Sequence, residues 1–139
     1  MAERVGTEPS VFTRILRGEI PSEIVLQTDD VFVIRDIAPQ APVHLLVVPK
    51  TDAYRDVTEL AAADPKLLAS MVEVARTAAE QAGAADFRLV FNTGAGAGQT
   101  VFHVHAHVLA AGRRHADGAA PTGLDERTMT GGMPDGEEA

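Results

Sequence analysis

The segment over 101–109 constrains the fold most strongly, because three histidines alternate there with apolar residues. One parity carries His103, His105 and His107, and the other carries Phe102, Val104, Ala106 and Val108. Alternate side chains of a β-strand point to opposite faces, so the pattern predicts a strand with one apolar face and one histidine face. Three imidazoles on one face exceed what a structural strand needs, and imidazoles titrate near neutral pH. We therefore expect this segment to carry the chemistry.

Other local patterns predict a short helix, a long helix and about five strands. Ser10 suits the N-cap of a helix over 11–17, and Asp64 suits the N-cap of a helix from 65 to about 82. Runs rich in β-formers or apolar residues predict strands over 24–27, 31–35, 43–48, 87–92 and 101–109. Strands and helices show little regular alternation, which predicts an α+β fold with a mainly antiparallel sheet.

The long helix carries one predicted apolar stripe with a spacing of three to four residues. The stripe consists of Leu67, Leu68, Met71, Val72, Ala75, Ala78, Ala79 and Ala82. Its alanine-rich end allows another backbone to approach closely. Ordinary packing onto the chain's own sheet and contact with a second subunit both fit this pattern.

Charge and composition narrow the classes of function. Twelve Lys and Arg against 20 Asp and Glu give a net charge of −8, which disfavours nucleic-acid and membrane-surface partners. No cysteine is present, which excludes a disulfide framework, a thiol nucleophile and a thiolate zinc site. The first residues, Met-Ala-Glu-Arg-Val-Gly, carry charges where a signal peptide needs an apolar core. We therefore expect a cytoplasmic protein.

The chain divides into one predicted domain with two polar ends. Residues 1–9 have no apolar pattern and are expected to form a flexible arm. Residues 10–113 are expected to form the domain. Residues 114–139 are rich in glycine and poor in large apolar side chains, so a flexible tail is expected there.

A glycine-rich loop over 93–100 immediately precedes the histidines. Glycines at 94, 96 and 98 allow main-chain N–H groups to turn toward an anion, and Gln99 and Thr100 add side-chain donors. The loop matches neither the P-loop nor the dinucleotide pattern. Beside three imidazoles, it predicts a phosphate site with a nucleophile next to it.

Two other interpretations of the histidines remain open. They could lie on a solvated sheet face, or two of them could bind a metal together with His44, giving a site of His44, His103 and His105. Three alternate strand positions span about 13 Å, so all three triad histidines cannot easily reach one ion. We therefore expect neither a metal nor a cofactor.

The run from His103 to Leu109 resembles the His-x-His-x-His-x-x signature of the histidine triad (HIT) superfamily. Residues 36–50 are similar to the strand and loop that carry the ribose contact in the Hint-like branch, the histidine triad nucleotide-binding proteins. Residues 12–21 are similar to the opening of that branch, so the resemblance covers about 11–113. It implies the HIT fold, with two five-stranded sheets joined into ten strands across a homodimer.

The resemblance also implies catalytic roles. His105 would be the nucleophile that attacks the α-phosphate of a nucleotide. His107 and Thr100 would hold the phosphate oxygens, with help from Gln99 and the backbone at Gly98. His103 and His44 would orient the imidazoles and relay protons.

The same resemblance implies a nucleotide-binding slot. Asp36 would accept the ribose hydroxyls, Ile37 would lie beside the sugar, and Asn92 would lie near the phosphate. The base slot would be lined by Phe12, Ile15, Ile20 and Ile34. Ordinary core packing explains those four residues equally well.

The function implied is that of a purine nucleoside phosphoramidase or nucleotide hydrolase. A covalent nucleotidyl-histidine would form at the α-phosphate and release a nucleoside monophosphate such as AMP. A dinucleoside polyphosphate hydrolase of the same superfamily is one alternative. A nucleotide-binding adaptor with negligible turnover is another, because it would use the same site residues.

Overall fold

The computed structural model describes residues 9–111, which form a single five-stranded sheet with helices on both faces. The helices are α1 (Val11–Leu16), α2 (Val57–Ala63) and α3 (Pro65–Gln81). The strands are β1 (Ile24–Gln27), β2 (Val31–Arg35), β3 (Val43–Pro49), β4 (Arg88–Val90) and β5 (Ala106–Ala110). Their order is β1-β2-β3-β5-β4, and every neighbouring pair is antiparallel. The predicted α+β class is confirmed.

Alternation along the central strands sends side chains to two separate apolar clusters. On one face, Val33 and Leu45 pack with the buried side of α3, including Met71 and Ala75. On the other face, Ile34 and Leu46 pack with α1 through Phe12 and Ile15. Because β3 is buried along its whole length, it forms the centre of the domain and fixes the position of every group that it carries.

The N-cap residues of α1 and α3 are those that the sequence predicts. The Ser10 side chain accepts a hydrogen bond from the N–H of Thr13, and the Asp64 side chain accepts one from the N–H of Leu67. Gly18 and Gly83 follow the two helices with φ angles of 82° and 85°, a left-handed conformation that glycine adopts without steric cost.

The structure corrects the predicted strand over 101–109. Regular pairing begins only at Ala106, because the N–H of Val104 bonds to the carbonyl of Tyr54 outside the sheet. His103 and His105 therefore lie in an irregular segment before β5, and only His107 lies on the strand. Phe102, expected to face the core, is 38% exposed.

Smaller differences concern the helices and the edge strand. Helix α2 is absent from the prediction, α3 ends at Gln81, and the predicted 87–92 strand shortens to β4. Val72, assigned to the apolar stripe of α3, is 45% exposed, while Val74 is buried in its place. Within 9–111, no helix is long and apolar enough to cross a membrane. The predicted tail over 114–139 and all but the last residue of the predicted arm lie outside the described residues.

Candidate active site

The three triad histidines lie buried at one end of the sheet. His103, His105 and His107 have at most 4% of their surface exposed, which excludes the interpretation of a solvated histidine face. The ring centroids of His105 and His107 are 5.5 Å apart, and those of His107 and His44 are 5.2 Å apart. The sequence-predicted catalytic histidines are thus brought together in one cluster.

Hydrogen bonding fixes which nitrogen of His105 is free to react. Nδ1 lies 2.7 Å from the backbone carbonyl of His103, and a carbonyl only accepts, so Nδ1 carries the proton. Nε2 is then left with its lone pair. Burial lowers the pKa of His105 to about 4, although the bond to the His103 carbonyl opposes this shift. The ring is therefore neutral at pH 7, the state in which an imidazole nitrogen can act as a nucleophile.

His44 and His107 form a hydrogen-bonded pair that begins at the backbone. The N–H of Gln40 donates to Nδ1 of His44 over 3.0 Å, so the proton of the neutral His44 ring is on Nε2. Nε2 of His44 lies 2.9 Å from Nδ1 of His107 and donates to it. His107 then carries its own proton on Nε2, which is buried and has no hydrogen-bond partner among the described residues. Burial is the largest cause that lowers the pKa of His107, to about 3.

Asp36 lies next to this pair, at the end of β2. Its Oδ1 accepts a hydrogen bond from the N–H of Ala38 over 2.8 Å, which closes a turn in the loop before β3. Its Oδ2 is buried 3.2 Å from Nε2 of His44, but it makes no hydrogen bond to a described residue. Asp36 therefore retains one free acceptor oxygen within the site.

The geometry argues against a metal ion bound by these groups. Asp36, His44 and His107 bring potential ligand atoms within 4.8 Å of one another. A histidine that binds a metal normally donates its other ring N–H, whereas Nδ1 of His44 accepts a hydrogen bond and leaves the proton on Nε2. The alternative metal site of His44, His103 and His105 is disfavoured as well. Both ring nitrogens of His103 are already hydrogen-bonded, so neither is free to bind a metal ion.

The glycine-rich loop is held together by its own polar groups. It contains one 3₁₀ turn, Ala95–Ala97, and Gly98 has a φ of 97°, which a residue with a side chain rarely adopts. The N–H of Gly98 donates to the carbonyl of Ala95 over 3.0 Å. The backbone donor of Gly98 predicted for phosphate is thus already used inside the loop.

Gln99 holds the loop in place and is 2% exposed. Its Oε1 accepts from the N–H of Gly94, and its Nε2 donates to the carbonyls of Arg55 and Val101 at 2.6 and 3.0 Å. Both amide protons are consumed, so the predicted role of Gln99 as a phosphate donor is revised to a structural one. Thr100, which follows, is exposed.

The residues predicted to line the base slot divide into two groups. Phe12 contacts the rings of His103 and His105, with centroid distances of 5.6 and 4.9 Å, and is therefore part of the site. Ile15 and Ile34 are buried in the apolar cluster beneath α1, and half-buried Ile20 packs against it. These are contacts of core packing, the alternative interpretation, and the base-slot role of the three residues stays a prediction.

The two remaining predicted contacts differ in exposure. Ile37 follows Asp36 and is 80% exposed, an unusual environment for a large apolar side chain. Asn92 is half-buried just after β4.

One residue that contacts the triad was missed as a site residue. The Ser10 hydroxyl lies 2.6 Å from Nδ1 of His103, although the sequence signals only a helix cap.

Comparisons with known proteins agree with this architecture. The HIT domain family matches residues 17–115. The purine nucleoside phosphoramidase of Escherichia coli K12 is 43% identical over 104 residues, covering 73% of this chain and 87% of the relative. An adenylylsulfatase of Arabidopsis thaliana is 38% identical over 114 residues, covering 78% of this chain and 76% of the relative.

A solved structure agrees as well. A HIT family hydrolase from Clostridium thermocellum superposes with a TM-score of 0.72 at 36% identity, covering 86% of this chain and 98% of that one. Together, the similarities support a hydrolase at the level of enzyme class.

Proposed function

Because the chain belongs to the HIT domain family, as its histidine run predicts, we propose that it is a purine nucleoside phosphoramidase. The proposed reaction passes through a covalent nucleotidyl intermediate on His105. One observation carries the proposal. The lone pair on Nε2 of the buried, neutral His105 lies beside a ring, His107, whose Nε2–H has no partner among the described residues.

The proposed reaction has two displacement steps at the α-phosphorus. In the first, Nε2 of His105 bonds to phosphorus, the phosphorus–nitrogen bond to the amine breaks, and the amine takes the electron pair and a proton. In the second, water bonds to phosphorus, the bond to Nε2 breaks, and a nucleoside monophosphate is released. The proton lost by water balances the proton gained by the amine, so no cofactor is required.

Two groups are suited to stabilise the reacting phosphate. The free Nε2–H of His107 donates to a phosphoryl oxygen, where a fixed donor in a water-poor site is most effective. Thr100 offers a hydroxyl from the adjoining loop. Gly98 and Gln99 position that loop and do not donate directly.

The sugar is assigned to Asp36. Its Oδ2 makes no hydrogen bond to a described residue, so it can accept one from a ribose hydroxyl. Exposed Ile37 then lies next to the bound sugar and loses contact with water when the nucleotide binds.

We also propose that the active protein is a homodimer joined through α3 and β4. Strand β4 is an edge strand of the sheet, and an edge strand tends to pair with a strand of another chain. The groove between α3 and β4 is lined by apolar Val72, Phe87 and Leu89 together with Glu73 and Arg76. A twofold arrangement of such edges would give the ten-stranded sheet that the resemblance implies.

The decisive experiment mixes metal-stripped protein with an adenosine phosphoramidate, quenches the reaction and maps adducts by mass spectrometry. We expect a nucleotidyl adduct on His105 and steady turnover, with both lost in His105→Ala. Faster turnover of a dinucleoside polyphosphate would favour the alternative hydrolase. Binding without turnover would favour an adaptor, and activity restored only by added metal would overturn the mechanism.

A further inference from the structure

Ser10 connects the first helix to the triad with a short hydrogen bond. Its Oγ lies 2.6 Å from Nδ1 of His103, and both residues are buried. The same oxygen accepts the N–H of Thr13 over 3.1 Å and so caps α1. The hydroxyl of Thr13 lies farther from Ser10 Oγ, at 3.4 Å, so Nδ1 of His103 is the closer partner for the Ser10 proton.

The direction of the Ser10 bond follows from the other side of the His103 ring. Nε2 of His103 lies 2.8 Å from the carbonyl of Pro49, which can only accept, so the ring proton is on Nε2. Full burial favours the neutral form of the His103 ring, whose Nδ1 is then an acceptor, and Ser10 supplies the proton. The ring is held from two sides, by the start of α1 and by the end of β3.

The backbone of His103 in turn determines the state of His105. Its carbonyl accepts the Nδ1–H of His105 over 2.7 Å, the bond that leaves Nε2 of His105 with its lone pair. Phe12, two residues after Ser10, packs against both rings. A shift of the His103 ring would therefore disturb the His105 ring through the packing contact with Phe12, and a shift that extends to the His103 backbone would also disturb it through the hydrogen bond.

We propose that Ser10 is a positioning residue for the nucleophile, acting through His103, which rests on the proposed function of His105. The hydroxyl is required as a donor toward His103, in addition to its role as a helix cap. Ser10 touches neither the substrate nor the reacting atoms. Its removal should therefore slow formation of the adduct more than it weakens substrate binding.

Three substitutions separate the two roles of Ser10. Ser10→Thr keeps both the cap and the hydroxyl donor. Ser10→Asp keeps the cap, because aspartate is among the best N-cap residues, but its carboxylate cannot donate to Nδ1 of His103. Ser10→Ala removes both. Asp64→Ala is the matched control, since Asp64 caps α3 through one 3.1 Å bond to the N–H of Leu67.

The measurements are the single-turnover rate of adduct formation on adenosine phosphoramidate, KM, and the ¹⁵N imidazole spectrum of the full-length protein. In Ser10→Ala and Ser10→Asp, we expect the adduct rate to fall between about 10-fold and 100-fold, the range typical of a displaced reacting group. KM should change by less than about 3-fold, and Ser10→Thr should stay close to the wild type. The spectrum should show His105 as the Nδ1–H form in the wild type, and a mixture of forms in the Ala and Asp variants.

Several outcomes would overturn this role for Ser10. One is an adduct rate in folded Ser10→Asp equal to that of Ser10→Thr, and another is a loss in Asp64→Ala as large as that in Ser10→Ala. If the wild type forms no adduct, the proposed function fails, and the ¹⁵N spectra still test Ser10. An unchanged His105 spectrum in both variants would then refute the positioning role. If Ser10→Ala does not fold, Ser10→Asp decides alone because it retains the cap.

Discussion

Nε2 of His44 lies 2.9 Å from Nδ1 of His107, and this contact sets the position of the His107 proton. The tautomer of His44 is itself set by the N–H of Gln40, a main-chain group that cannot change its role. A backbone amide in the loop before β3 therefore determines which nitrogen of His107 donates into the site. Neither ring needs a positive charge for this arrangement, because it uses only neutral hydrogen bonds.

Replacing His44 should lower activity through His107. In His44→Ala, Nδ1 of His107 loses its donor and the His107 proton can move to that nitrogen, so the phosphate loses its hydrogen bond. We expect kcat to fall about 10-fold to 100-fold, with a smaller change in KM.

The double variant His44→Ala/His107→Ala provides the control for that prediction. If His44 acts only through His107, the double variant should be no slower than His107→Ala alone. Additive losses would show that His44 has a separate role in the reaction.

The rate should be insensitive to pH in the range where ordinary histidines titrate. Burial lowers the pKa values of His105 and His107 to about 4 and about 3, so both rings stay neutral at pH 5.5 and above. We expect kcat/KM to change by less than about 2-fold between about pH 8 and 5.5, whereas an imidazole with a pKa near 6.5 would lose about 10-fold. His105→Ala measures the background hydrolysis of the acid-labile substrate. An acid limb centred near pH 6.5 would contradict the buried, neutral state of His105.

The same two groups should make the fold sensitive to acid. Their pKa values are lower in the folded chain than in the unfolded chain, so the unfolded state binds more protons between about pH 3 and 6.5. The free energy of unfolding should therefore fall as the pH drops through that range. Above about pH 6.5, the stabilising contribution of the two neutral rings should be complete. Each histidine contributes a slope of up to about 1.4 kcal/mol per pH unit. Urea unfolding at several pH values between 7.5 and 4.5 measures how the free energy of unfolding depends on pH.

Carboxylates also contribute to acid unfolding, so a variant must isolate the histidine contribution. His107→Gln removes one buried titrating ring, and its unfolding free energy should depend less steeply on pH than that of the wild type. Equal slopes would show that His107 does not remain neutral in the folded protein.

Local signals predicted most of the fold because each strand is bounded by its own turn. The turn over 28–30 is an example: the N–H of Thr28 bonds to the carbonyl of Val31, and the Thr28 hydroxyl accepts the N–H groups of Asp30 and Val31. Helix α2 is absent from the prediction because it has only seven residues and is separated from Pro65 by Asp64 alone. The start of α2 nevertheless has a sequence pattern typical of a helix N-terminus. Asp56 accepts from the N–H groups of Thr58 and Glu59, and Glu59 reaches back to the N–H of Arg55, a pattern close to a capping box.

The candidate site was less predictable than the fold. Residue spacing indicates which face of a strand a side chain lies on, but not which groups it hydrogen-bonds to. Alternation correctly grouped the three histidines, yet it implied a regular strand and did not reveal their burial. The structural role of the Gln99 side chain depends on hydrogen bonds to the carbonyls of Arg55 and Val101. Arg55 is 44 residues away from Gln99 in sequence. The contact between Ser10 and His103 spans 93 residues and has no sequence signature. Long-range contacts of this kind follow only from the folded chain.

Gln99→Glu should destabilise the loop that precedes the triad. The substitution preserves the shape of the side chain but removes both protons from Nε2, so the carbonyls of Arg55 and Val101 face an oxygen that cannot donate. We expect the free energy of unfolding to fall by about 2 kcal/mol or more, and kcat/KM to fall with it. Gln81→Glu makes the same change at the exposed last residue of α3 and should cost less than about 1 kcal/mol, the scale of a negative charge at a helix C-terminus. Similar effects from both variants would attribute the loss to net charge instead.

The proposed dimer gives the last prediction. Light scattering at micromolar concentration should report twice the 14.7 kDa of one chain. Val72 is 45% exposed beside the edge strand β4, so a carboxylate placed there would lose its water in the dimer, and the cation in the same groove, Arg76, is already paired with Glu80 at 3.5 Å. Val72→Glu should therefore shift the protein to a monomer. Gln27→Glu adds the same charge at an exposed position of β1, the opposite edge of the sheet, and should remain a dimer. If Val72→Glu and Gln27→Glu dissociate alike, or if the wild type is an active monomer, the α3–β4 interface is wrong.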